Sequence, residues 1–175
     1  APTPQASALQ IPQPLVFAEA QVILEMAKDD TASLQKQIVT ERGKIRAPGS
    51  LEYLPLTIAV NKNTSVVAPP AATVKLLGWD APQSFIDQLI APTNVFVYFG
   101  QQSRDMVFVF TTRDFERTLA SLYGWEKALP RDLKSYMGTD APASPLFQDE
   151  IIKNHSARVL KTGNDQVLLG YAIFN

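Results

Sequence analysis

The sequence predicts an α+β protein, an antiparallel or mixed sheet built mainly from hairpins with helices packed on it. Three observations carry this. Apolar runs of strand length, such as "NVFVYFG" and "MVFVFTT", are separated by segments of turn length. Stretches of helical period fall between them in the order β-α-β-(α-α)-β-β-α-β-β. No glycine-rich phosphate loop follows a strand, so a doubly wound nucleotide fold is set aside.

Along the chain, "APTPQASALQIPQPL" has four Pro in fifteen residues and no apolar period. It reads as an extended tether, giving a Pro-rich linker over 1–14 and one α+β domain over 15–175. "LVFAEAQVILEM" reads as a strand. "KDDTASLQKQIVTERGKI" then offers a helix starting at Asp30 or Thr31, with Leu34, Ile38 and Ile45 on one face and a stop at Gly43. "LEYLPLTIAV" alternates as a second strand, in which Pro55 asks for an edge or a bulge. "NKNTSVVAPP" reads as a loop. "AATVKLLGW" and "PQSFIDQLI" read as two short helices, with Asp80 suited to a cap and Pro82 to a first helical position.

"NVFVYFG" and "MVFVFTT" form a hairpin whose two strands are apolar on both faces, which predicts a central, covered position. In "FERTLASLYGWEKALPRDL", residues Phe115, Leu119, Leu122, Trp125 and Leu129 follow at helical spacing, behind Thr111 and Asp114 at capping-box spacing. Trp125 then packs, while Glu126, about 100° further round the helix, meets water. "DEIIKNHSARVLK" reads as a strand that pairs across the turn "TGND" with "QVLLGYAIFN".

Composition narrows the chemistry. Apolar residues make up 46% of the 175 and charged residues 19%, the balance of a folded chain rather than a disordered one. A formal charge of -1 leaves no basic footprint, so no nucleic-acid binding is expected. Cysteine is absent, which removes disulfides, thiol catalysis and Cys-based zinc sites. His155 is the one histidine, so no metal site is expected, and it lies on a strand beside Ser156 with its side chain on the opposite face. No run approaches membrane-span length, no cofactor motif is present, and a soluble chain is expected.

Two patterns hint at more. "SLQK" places Ser33 one helical turn from Lys36, and "KTG" occupies Lys161 to Gly163; both are elements of the penicillin-recognising serine enzymes. The third element of that set is missing, "KTG" falls at the mouth of a turn, and Ser33 with Lys36 stands only as an alternative serine-hydrolase site. Trp79, Trp125 and Glu126 are the candidates for a small-molecule or peptide-binding module that would use apolar surface near the two indoles, with Glu126 as an acid beside the Trp125 platform.

Three segments, "IPQPLVFAE", "MVFVFTTRDFERTLASLYGWEKALPRDL" and "LFQDEIIKNHSARVLKTGNDQVLLGYAIFN", together resemble the soluble region of uncharacterised membrane-anchored proteins of candidate-phyla (Patescibacteria-like) bacteria. The likeness rests on Trp125 and Glu126 followed by Asp132 and Leu133, then on Phe147, Asp149, Asn154, the run Arg158 to Leu160, Tyr171 and Phe174. It implies an anchor upstream of Ala1, a domain outside the cytoplasmic membrane, and a pattern that continues past Asn175. It carries no catalytic residue. The expectation is a non-catalytic extracytoplasmic domain with a structural or protein-contact role, a protein partner, and membrane association only through an anchor outside this chain.

Overall fold

The computed structural model describes residues 9–27, 30–61, 64–137, 142 and 145–174. The α+β class holds, with helices packed with antiparallel and mixed sheets. The chain falls into two compact units, one of residues 1–77 and 91–111, the other of 78–90 and 112–175.

The first unit begins with strands β1 (Ala20–Gln21) and β2 (Leu24–Met26), helix α1 (Thr31–Arg42), and strands β3 (Ser50–Tyr53) and β4 (Leu56–Asn61). It continues with β5 (Thr64–Val67) and α2 (Pro70–Leu76), and closes with β6 (Asn94–Phe99) and β7 (Arg104–Val109). Two sheets result, ordered β1-β3-β6-β7 and β2-β4-β5. The pairs β1 with β3 and β2 with β4 are both parallel, and α1 is the crossover between them. Pro55 marks the place where the chain changes sheets: Leu54 N–H still donates to Val95, while the Pro55 carbonyl accepts from Leu24. A residue with no N–H fits where one ladder stops and the next begins.

Asp30 caps α1, accepting from Ser33 N–H at 3.0 Å, and Leu34 and Ile38 are fully buried, as their spacing predicts. Each such side chain contributes about 2 kcal/mol of burial. Ile45 does not share that face. It lies beyond the helix and is 91% exposed. Leu15, Val16 and Phe17, expected in a strand, lie outside β1 and are exposed, and "NKNTSVVAPP" contains β5 rather than being all loop. In the hairpin, β6, paired on both edges with β3 and β7, is buried on both faces except at Tyr98. β7 alternates instead, as an edge strand with one open face should.

The second unit holds α3 (Gln83–Ile86), α4 (Phe115–Trp125), α5 (Leu129–Asp132), α6 (Lys134–Met137) and the strands β8 (Phe147–Ile152), β9 (His155–Lys161) and β10 (Val167–Ala172). Its strands form an antiparallel meander in the order β10-β9-β8. "DEIIKNHSARVLK" is therefore two strands, folded back at Lys153 and Asn154. Both of these residues have positive φ, 47° and 67°, as a tight hairpin turn requires. Pro82 is the N-cap of α3 rather than its first residue, and Asp80 is not its cap. Asp114 caps α4 directly by accepting from Arg117 N–H at 2.9 Å. The buried face of α4 is Thr118, Ser121 and Trp125, so the apolar stripe is only partly the packed one; Phe115 is 40% exposed.

Candidate functional site

Helix α4 delivers two neighbouring side chains into different surroundings. The Trp125 indole N–H donates to Asp132 Oδ2 at 2.8 Å, and the same oxygen accepts the Asp80 backbone N–H at 3.1 Å. The Trp125 ring lies 5.8 Å from that of Trp79 and 5.3 Å from that of Phe85. Trp79 in turn meets Tyr136 edge-on. Trp79 and Trp125 are 8% and 3% exposed, so neither indole offers a surface on which a ligand could lie. They are the aromatic core beneath α3 to α6.

Glu126, the C-cap of α4, is not the solvated residue that its position on the helix suggests. Its two carboxylate oxygens accept from Arg158 Nε and from a terminal Arg158 nitrogen, each at 2.8 Å, and the Tyr171 hydroxyl donates to Oε1 at 2.7 Å. Burial disfavours its charge, but the hydrogen bonds of Arg158 and Tyr171 prevail and hold the carboxyl below its ordinary range. Burial and the Glu126 carboxylate push the Tyr171 hydroxyl well up, so it stays protonated as the donor. Arg158 also reaches Asp149 at 3.2 Å and lies 5.3 Å from the centre of the Tyr123 ring. Arg158, Asp149 and Tyr171 stand opposite one another on three neighbouring strands, so one face of the meander presents them together. An acid so tied is a structural clamp, not a free general acid or base.

The remaining sequence candidates are placed as follows. Ser33 lies in the first turn of α1, its hydroxyl accepting from the Gln37 amide at 3.2 Å, and Lys36 is exposed on the same helix. Lys161 ends β9 and pairs with Glu150 and Asp165, in the other unit from Ser33 and Lys36. His155 is exposed at the start of β9, its ring 5.0 Å from Phe174.

A second charged cluster went unnoticed in the sequence. Glu52, in the centre of β3, is 1% exposed and accepts from Arg46 Nε at 2.7 Å. Glu41, near the end of α1, is also buried, pairs with Lys44, and stands within hydrogen-bonding reach of Glu52. Burial pushes the Glu52 carboxyl above its ordinary value; Arg46 opposes the rise and Glu41 adds to it. The stretch "ERGKIRAPGSLE" contains all four residues, and a pair of acids framing basic residues is the only signal it gives.

Two of the open depressions among the described residues are lined as follows. One, of about 260 Å³, is lined by Leu146, Gln148, Lys161, Thr162 and Asp165 among others, and its lysine is already paired. The other, of about 400 Å³, lies beside Phe17 and Tyr53 and has no charged lining residue. Among the described residues no cluster of three or more His, Cys, Asp or Glu side chains could hold a metal ion, and no helix is long and apolar enough to cross a membrane. No family model matches the chain, and neither does any curated protein or solved structure.

Proposed function

We propose that the chain is a non-catalytic, extracytoplasmic domain of a membrane-anchored bacterial envelope protein that works through protein–protein contact. One observation carries the contact. Ile152 of β8 is paired with His155 of β9, whose ring meets that of Phe174 just beyond the end of β10, so an exposed row runs along one end of the meander. Ile152 and Phe174 are 45% and 67% exposed, and contiguous apolar surface of this kind marks a place where another protein sits. The engagement of Glu126 with Arg158 and Tyr171, and of Lys161 with Glu150 and Asp165, supports the non-catalytic part of the reading. The envelope location rests on the resemblance of the three sequence segments and on the Pro-rich opening, which suits a tether.

The absence of cysteine makes the test direct. Phe174→Cys and, as a control, Lys127→Cys each add one thiol to this cysteine-free stretch in the protein expressed in its own cells, with the unsubstituted protein as the labelling blank. A maleimide that cannot pass the cytoplasmic membrane should label Lys127→Cys in intact cells, and a maleimide crosslinker on Phe174→Cys should trap a protein that the control does not. Labelling of both variants only after lysis would overturn the location, and equal crosslinking from the two positions would overturn the contact surface.

A further inference from the structure

The outer edge of β5 goes beyond that role, and it belongs to the first unit rather than to the meander. β5 ends the sheet β2-β4-β5, with β4 on its inner side. Ala68 N–H donates to the Leu56 carbonyl at 2.8 Å, and two places back Val66 stands opposite Ile58. Alternation along an antiparallel ladder then turns the backbone groups of Val66 toward β4 and those of Ser65 and Val67 outward. Among the described residues no backbone group meets that outward pair. The other outer strands carry devices against further pairing. β1 is two residues long, and the Gln37 amide takes the Glu25 carbonyl of β2. β7 opens with Arg104 and Asp105, β8 carries Asp149 and Glu150, and β10 is broken by a bulge between Val167 and Leu169. β5, from Thr64 to Val67, has neither charge nor proline, the irregularity of its ladder lies on the β4 side, and Val66 is 43% exposed.

We propose that β5 pairs antiparallel with β5 of a second copy across a twofold axis at Val66, so that the sheet continues from one chain into the other. The strand matches itself about that axis. Ser65 of each copy comes opposite Val67 of the other, which gives every outward N–H an outward carbonyl, and Val66 meets Val66 as the close, non-hydrogen-bonded pair. Pro69, with no N–H, ends the new ladder just past Val67. β5 brings no charge against its like, and a formal charge of -1 per chain leaves two copies free to approach. An extended segment of another protein would have to supply the same spacing of donors, acceptors and apolar side chain; this strand carries it already.

Sedimentation equilibrium of the unsubstituted chain tests this first. The mass should rise from 19.3 kDa toward twice that value between about 10 µM and about 1 mM, as suits a small interface. Over the same range the amide exchange of Ser65 and Val67 should slow roughly tenfold, while that of Val66, already bonded to β4, holds steady. Val66→Cys puts a thiol on the axis and should give a disulfide-linked dimer on mild oxidation, since a non-hydrogen-bonded pair stands within disulfide reach. Thr64→Cys, also exposed but with its two thiols about 13 Å apart in this register, should not. A chain that stays monomeric at every concentration would overturn the proposal and leave the edge to an extended segment of another protein. Equal crosslinking from the two positions, or a dimer in which Ser65 and Val67 exchange as fast as in the monomer, would refute it as well.

Discussion

Glu126 and Arg158, 32 residues apart, face each other through two parallel N–H···O bonds of 2.8 Å, one from Nε and one from a terminal nitrogen. The pair joins the end of α4 to the middle strand of the meander, with side chains only 15% and 19% exposed. Removing either partner strands the other in a largely dry place. Arg158→Ala or Glu126→Ala should therefore cost roughly 2–4 kcal/mol in urea denaturation. Arg158→Lys should recover little, since an ammonium cannot make the forked contact.

Acid should weaken the same clamp. The Glu126 carboxyl is held below its ordinary value of 4.5, so its contribution is present above that value and lost as pH falls through the depressed one. The unfolding midpoint, followed downward from neutral pH, should fall in wild type and fall less in Glu126→Gln. A variant with an unchanged slope would show that other carboxylates dominate.

The parts of this fold that were legible in the sequence are the local ones. Asp30 announces α1, and Leu34 and Ile38 announce its buried face, because cap and period are written within a few residues. Ile45 keeps the period but falls after Gly43 ends the helix, so period alone misplaces it. The turn at Lys153 and Asn154 is hidden because lysine rarely accepts positive φ and the apolar residues on either side suggest one continuous strand. Glu126 was expected in water, and Glu52 was overlooked, for a different reason. What decides the role of each is a partner brought close by tertiary folding, Arg158 for one and Glu41 for the other, and no spacing rule within a single element contains that information.

Asp132 organises the aromatic core from its rim. It accepts from the Trp125 indole and from the Asp80 backbone, and its other oxygen takes Arg131. Asp132→Ala should cost about 2 kcal/mol. Asp132→Asn keeps an acceptor oxygen and should cost about half as much. Tryptophan fluorescence during denaturation reads both.

The β8–β9 turn can be improved. Lys153 and Asn154 hold φ of 47° and 67°, a region that costs a lysine energy and that the pair Asn-Gly enters freely. Lys153→Asn with Asn154→Gly should raise stability by about 1 kcal/mol. A thermal melt that falls instead would mean that the Lys153 side chain serves some other purpose.

The serine-hydrolase alternative has a simple check. Ser33 accepts a hydrogen bond from Gln37 and donates its backbone N–H to the Asp30 cap, as a residue in the first turn of a capped helix does. A fluorophosphonate or penicillin probe should leave the folded protein unlabelled, and labelling abolished by Ser33→Ala would reinstate Ser33 with Lys36 as a nucleophile and its base.

The division of the chain also governs how it can be made. Residues 78–90 belong to the second unit but are synthesised before β6 and β7, which the first unit still needs. Strand β3 thus leaves the ribosome with one long side unpaired and must wait some forty residues for β6. Neither unit can be cut from the gene as one continuous piece, and a truncation after Leu77 would remove β6 and β7, two of the four strands of that sheet. The two units are bound to a common fate during biosynthesis, whatever each does once folded.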